Sequence, residues 1–204
     1  MAEEIIDGAG TGNRAKVDSD KRLHVNSVTR TQDEQAALLG EAYNLSTGSI
    51  TLTSANQSAV AYLKYTGADP FVIKEMLMIP SDSTGGSGNA LIQIKSNPTA
   101  GTIISGAVSF SAINNRDFSS SKSLDETALI YKGAEGNTIT DGGTFAITTR
   151  SSFASPVSFD AANIVLRKGN SIAVCITPPT GNTSQTWVVA ITGFVETATV
   201  SGDL

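Results

Sequence analysis

Asn163-Ile-Val-Leu-Arg-Lys-Gly-Asn-Ser-Ile-Ala-Val-Cys-Ile-Thr-Pro-Pro-Thr-Gly-Asn-Thr-Ser-Gln-Thr-Trp-Val-Val-Ala-Ile-Thr-Gly-Phe-Val195 decides the fold class. It holds three runs, Asn163–Arg167, Ser171–Thr177 and Gln185–Val195, rich in the β-branched side chains that suit a pleated surface. Lys168-Gly-Asn170 sets Gly at the tight position and predicts a hairpin between the first two runs. Pro178–Thr183 predicts a longer turn before a closing strand.

The same cadence extends towards the N-terminus. Ser49–Thr53 alternates with period two, and Val60–Tyr65 and Phe71–Ile79 are parted by Gly67-Ala-Asp-Pro70. In the second run Phe71, Ile73, Leu77 and Ile79 share a face that Glu75 interrupts. Pro80 predicts the start of a loop through Ser81–Asn89, and Ala90–Lys95 predicts the next strand, closed by Asn97-Pro98. Shorter β stretches are expected near Thr102–Ile104, Ala107–Ser111, Ala128–Tyr131 and Thr144–Thr148, with turns at Asn114–Ser121 and Asp141–Gly143. Many short strands with little helix predict an all-β antiparallel sandwich or jelly roll over residues 43–204.

Residues 1–42 read differently, as an extended arm. Asp7–Gly12 is too Gly-rich to hold a regular element. Asp18-Ser-Asp20 separates two short β stretches and predicts a small hairpin. Thr31-Gln-Asp-Glu34 fits a capping box, with Gly40 as the stop, so one short helix is expected between them. Ordering such an arm costs about 1–2 kcal/mol per residue. Contact with another protein is the expected compensation.

Composition agrees and excludes several functions. Of 204 residues, 40% are hydrophobic and only 16% charged, below the roughly 25% usual in soluble domains. The net charge of -5 argues against a nucleic-acid partner, since phosphate binding needs clustered cations and the pair Lys21–Arg22 is not a patch. No apolar run reaches membrane-spanning length, and the acidic start Met1–Ile6 lacks the apolar core of a secretory signal. The single cysteine, Cys175, sits within Ile172–Ile176 and is expected in the core.

Chemistry-bearing residues are sparse. His24 is the one histidine, in the small hairpin, with no nucleophile placed beside it. One His and one Cys cannot build a zinc site. Asp7–Asn13 fails as a phosphate loop, because no Lys-Ser/Thr follows and no strand-to-helix context exists. Asp18 and Asp20 lack the Gly and bidentate Glu of a calcium loop. Asn44-Leu-Ser46, Asn56-Gln-Ser58 and Asn182-Thr-Ser184 match the glycosylation pattern by composition alone. Asp117, Asp125, Glu126 and Asp141 stand in turn-like stretches with no sign of convergence. Trp187, Tyr43, Tyr62, Tyr65 and Tyr131 could stack sugars, although Trp187 lies in an apolar strand where a core role fits better. No catalytic residue, cofactor or metal is expected.

Gly10-Thr-Gly-Asn-Arg-Ala-Lys-Val-Asp-Ser-Asp-Lys-Arg-Leu-His-Val-Asn-Ser-Val28, Glu41-Ala-Tyr-Asn44 and Leu166-Arg-Lys-Gly-Asn170 with Ile176-Thr-Pro-Pro-Thr-Gly-Asn-Thr183 resemble a group of tailed-bacteriophage virion structural proteins. The resemblance spans both ends of the chain and rests on turn-and-strand signatures. It implies a virion component assembled in the host cytoplasm: a capsid decoration protein, or a neck, collar or tail accessory protein. The implied partners are other copies of the chain and virion proteins such as the major capsid or neck and tail proteins, with no nucleic acid and no membrane. A fibre-tip module reading a glycan or receptor is the alternative, and a polysaccharide-cleaving enzyme a distant third.

Overall fold

The computed structural model describes residues 5–6, 14–17, 23–24, 31–85, 88–106, 108–150 and 156–196. The chain divides into two compact units, Met1–Thr31 with Ala198–Leu204, and Gln32–Thr197. In the first, β1 (Ile5–Ile6), β2 (Arg14–Val17) and β3 (Leu23–His24) form a three-stranded antiparallel sheet. β2 and β3 are the expected hairpin arms, with Lys16 opposite His24. Asp7–Asn13 and Asp18–Asp20 lie outside the described residues.

The second unit opens with α1 (Gln32–Leu38). So short a helix is unstable alone. It is held by Ala36, which is buried with Ala42, Val72 and Phe194. The helix therefore belongs to the body, eleven residues before the boundary at 43 that the sequence suggested. Its end is the expected one. Gly40 has φ +68, and the Glu41 N–H reaches the Ala36 carbonyl at 2.8 Å while the Gly40 N–H reaches Ala37 at 3.2 Å. That pattern satisfies the last carbonyls with a left-handed residue.

Eleven strands follow: β4 (Ala42–Ser46), β5 (Ile50–Leu52), β6 (Ser58–Tyr65), β7 (Phe71–Gly85), β8 (Ala90–Ser96), β9 (Ala112–Asn115), β10 (Ala128–Lys132), β11 (Gly143–Arg150), β12 (Val157–Leu166), β13 (Ser171–Thr177) and β14 (Asn182–Val195). One sheet has the order β10-β6-β13-β8-β11. The other runs β12-β7-β14-β4-β9, with β5 also on β14. All of these pairings are antiparallel. The chain changes sheet at every connection except β4–β5 and β10–β11, which makes the body a jelly-roll-like sandwich. The expected all-β fold is the observed one. Between the sheets Trp187, Leu52, Leu63, Ile73, Met76 and Met78 are wholly buried, within the main core.

Several local expectations are corrected. The runs 163–167 and 171–177 do not form a hairpin, because β12 pairs with β7 in one sheet while β13 lies between β6 and β8 in the other. The turn itself is tight, with Asn170 N–H to Arg167 carbonyl at 2.9 Å. Its backbone also bonds to Tyr65, through the Gly169 N–H at 2.8 Å and the Asn170 carbonyl at 2.9 Å. Turn residues fix a reversal of the chain and leave the choice of strand partner open.

In β7 the expected apolar face holds only at its start. Phe71 and Ile73 are buried, but farther along it is Met76 and Met78 that face the core, with Leu77 and Ile79 half-buried. Gly193 pairs with Ile73 and Thr192 with Glu75, so Lys74 is an extra residue that reverses the alternation. Gly193 permits the bulge: a β-carbon there would lie 2.6 Å from both Phe71 Cζ and the Val72 carbonyl oxygen. Nor does Pro80 begin a loop, since β7 runs on to Gly85. The described pairing with β12 ends at Met78, and a second register break separates the Thr186–Asp82 and Trp187–Pro80 pairs. A residue without an N–H is tolerated at such a break.

Thr102–Ser105 is a helical turn, α2, instead of a strand. One turn buries Ile103 against Ala59, Tyr62, Ala173 and Cys175 on the outer face of the five-stranded sheet. Of the expected Ala107–Ser111 strand, the described residues 108–111 form an isolated Ser109–Tyr131 bridge and no strand, and β9 takes Asn114 and Asn115 from the expected turn.

Candidate functional site

Most side chains that could carry chemistry are committed to structure. Cys175 is 1% exposed on β13, and burial pushes its thiol up to about 11, with Lys95 opposing weakly. A thiol so placed is neutral at ordinary pH and inert as a nucleophile. Trp187 lies in the core with its indole N–H on Gln185 Oε1 at 3.1 Å. Tyr43, Tyr62 and Tyr65 are buried too, and Tyr43 is raised to about 12, first by burial and then by Glu41. Tyr131 is half-buried and stacks on Tyr62. The aromatics that the sequence offered for sugar stacking are therefore mostly interior. His24 stands on β3 of the first unit.

Two of the acidic candidates, Asp141 and Asp117, serve as loop latches. Asp141 accepts hydrogen bonds from the Thr99 hydroxyl and from the Thr99 and Ala100 N–H groups, which hold its carboxyl below the usual range, the hydroxyl most of all. Asp117 does the same for Ser119, hydroxyl and N–H. Glu135, which no motif singled out, grips Thr53 by its hydroxyl at 2.6 Å and its N–H at 2.9 Å. Asp125 and Glu126 lie in a 3-10 turn, Leu124–Glu126, where both are exposed. Asp117 and Asp141 are each bound into their own loops, to Ser119 and to Thr99 with Ala100. Among the described residues no group of three or more His, Cys, Asp or Glu could hold a metal ion. Of the glycosylation matches, Asn182 is buried with its Nδ2 on the Leu52 carbonyl at 2.9 Å, whereas Asn44 and Asn56 are exposed.

A depression of about 310 Å³ opens on the outer face of the five-stranded sheet, between Lys64, Leu129, Ile104 and the Asn97 and Asn170 turns. Its polar lining is largely self-satisfied. Asn97 Oδ1 accepts from Asn170 Nδ2 at 3.2 Å and from the Ser171 N–H at 3.1 Å, and the Ser171 hydroxyl donates to the Pro98 carbonyl at 3.0 Å.

The surface instead presents large apolar side chains. Phe118 is 98% exposed at the tip of a loop that is tied from several sides. Asn115 Nδ2 holds the Gly40 and Lys122 carbonyls, and Arg116–Asp33 and Lys122–Glu41 ion pairs join the loop to α1 and its exit. Leu38, Leu39, Val108, Phe145 and Ile147 are also exposed. Neither Phe118 nor Phe145 stood out in the sequence, because a Phe in a turn and a Phe in an alternating strand carry no mark of exposure.

No helix of the described residues is long and apolar enough to cross a membrane. No family model matches the chain, and no curated protein matches it. Among solved structures, infectious bursal virus derived T=1 particles give an alignment with 14% identity and a TM-score of 0.14. That alignment spans all of this chain and 47% of the viral one, so the chain spans about half the length of that neighbour.

Proposed function

We propose that the chain is a non-enzymatic virion structural protein, working as a capsid decoration or a neck or tail accessory subunit that acts through contact surfaces. One observation carries the non-enzymatic part: Asp117, Glu135 and Asp141 latch loops and the cysteine and three of the four tyrosines are buried, while large apolar side chains stand in solvent on hydrogen-bonded supports. Exposed apolar side chains on a rigid base are what a docking surface needs, because little entropy remains to be lost on binding. The virion setting rests on the resemblance of the two chain ends to tailed-phage structural proteins.

Residues 1–30 are assigned the anchoring role. Purified full-length chain is expected to bind particles that lack it and to appear as ordered density on them, whereas a chain without residues 1–30 keeps a folded body and loses attachment. Full particle occupancy by the truncated chain would overturn the anchoring role. A freely monomeric chain that cleaves a capsular polysaccharide and ignores particles would overturn the whole reading.

A further inference from the structure

The strand edges of the sandwich are not equally protected. β9 is only four residues long. β10 is covered by the Ser109–Tyr131 bridge and by the Lys132 N–H on the Val108 carbonyl at 2.7 Å. β12 breaks register between Asp160 and Ile164. Short length, cover and irregularity are recognised ways of discouraging a further strand from pairing.

β11 has less protection. Its ladder with β8 runs from Gly143 to Arg150, and among the described residues no strand pairs with its outer side. The bulge at Phe145 lies near its start and leaves Ala146–Arg150 regular. Gly143–Thr149 contains no Pro and no charged residue, and Phe145 and Ile147 are 52% and 58% exposed. Alternate N–H and C=O groups of this edge therefore point outwards with no strand among the described residues to take them.

We propose that β11 is a self-association edge, where a second copy of this chain adds its own β11 antiparallel across a two-fold axis and joins two five-stranded sheets. An antiparallel pair of identical strands is self-complementary in its backbone bonds, as a two-fold contact requires. Charge points to a copy as the occupant. The chain carries -5, so copies repel at long range and need a place to meet that is free of acidic residues. A two-fold centred on Thr148, within the regular stretch Ala146–Arg150, opposes Ile147 of each copy to Thr149 of the other, both β-branched. This inference deepens the assembly reading and rests on it.

Sedimentation velocity on the full chain over a wide concentration range tests it. Ile147→Lys with Thr149→Lys is expected to weaken self-association by about tenfold or more. Asn56→Lys with Asn89→Lys, at exposed polar positions, adds the same charge and is expected to leave association intact. Circular dichroism and melting confirm that both variants fold. In an otherwise unaltered chain, Thr148→Cys is expected to give a disulfide-linked dimer on mild oxidation and Thr144→Cys none, against the silent background of buried Cys175. An edge variant that associates as tightly as the parent, or a parent that is monomeric throughout, overturns the edge. In the first case assembly through another surface survives, and particle binding decides that question separately.

Discussion

The two lateral margins of the sandwich are built on opposite plans. At the β9–β10 margin side-chain and backbone hydrogen bonds tie the loops together. Asn115 spans Gly40 and Lys122, the Arg116 N–H reaches the Ala42 carbonyl at 2.8 Å, and Leu124 plugs the gap beneath, wholly buried. At the β11–β12 margin the described closure is apolar, an edge-to-face contact of Phe145 with Phe159 at 6.0 Å, and much of Phe145 remains in solvent. The contrast shows where this Ser/Thr-rich chain spends its hydrogen-bonding side chains. One margin is finished within the molecule, whereas among the described residues the other carries no comparable ties.

Removing side chains separates the margins most sharply. Leu124→Ala, which empties a fully buried position at the closed margin, is expected to cost about 2–5 kcal/mol in denaturant unfolding. Gly40→Ala should follow. Its left-handed φ of +68 disfavours a side chain, and the new β-carbon would sit 2.2 Å from Ser120 Oγ, for a cost of about 1–3 kcal/mol. Phe145→Ala at the open margin loses one partly exposed ring contact and should cost about 0.5–1.5 kcal/mol. A Phe145→Ala cost as large as that of Leu124→Ala would mean that the open margin is closed after all. Phe118→Ala is expected to shift stability by less than about 0.5 kcal/mol, since the ring touches so little of its own chain. On the contact-surface reading, the same change weakens particle binding.

The margins also mark where sequence reading succeeds. The sandwich was legible because β-branched runs between turn formers have few other solutions, and α1 was legible because its polar start and Gly40 stop are local. Burial of Cys175 and Trp187 followed from apolar neighbours. What stayed hidden depends on residues distant in sequence. The face of β7 changes at Lys74 because Gly193, more than a hundred residues later, lets the strands close up. The Arg167–Asn170 turn reads the same whether its strands share a sheet or not, and Tyr65 decides. Thr144–Thr148 alternates as an interior strand would, so nothing local announced that β11 ends its sheet among the described residues. The loop latches were equally silent, as Asp141 and Thr99 are 42 positions apart.

Those latches give the smallest and most distributed effect. Asp117, Glu135 and Asp141 each have a carboxyl held below its ordinary value, by hydrogen bonds first from the hydroxyls of Ser119, Thr53 and Thr99. A depressed pKa in the folded state means that the contribution to stability is complete above the ordinary carboxylate range. It is lost progressively as pH falls through that range towards the folded-state values. Thermal melting from neutral to strongly acidic pH should therefore show a decline beginning near the ordinary carboxylate pKa. Because all three groups are open to solvent, each share is small and screened by salt. Asp141→Asn should flatten the acidic decline slightly and lower the neutral-pH melting temperature, as the amide holds Thr99 and Ala100 less tightly. Asp117→Asn, at the closed margin, should do the same through Ser119 and loosen the loop that carries Phe118. If acid left the melting temperature unchanged in the parent and in both variants, the latches would be decorative, and the rigidity of the Phe118 loop would have to come from its Asn115 and ion-pair ties alone.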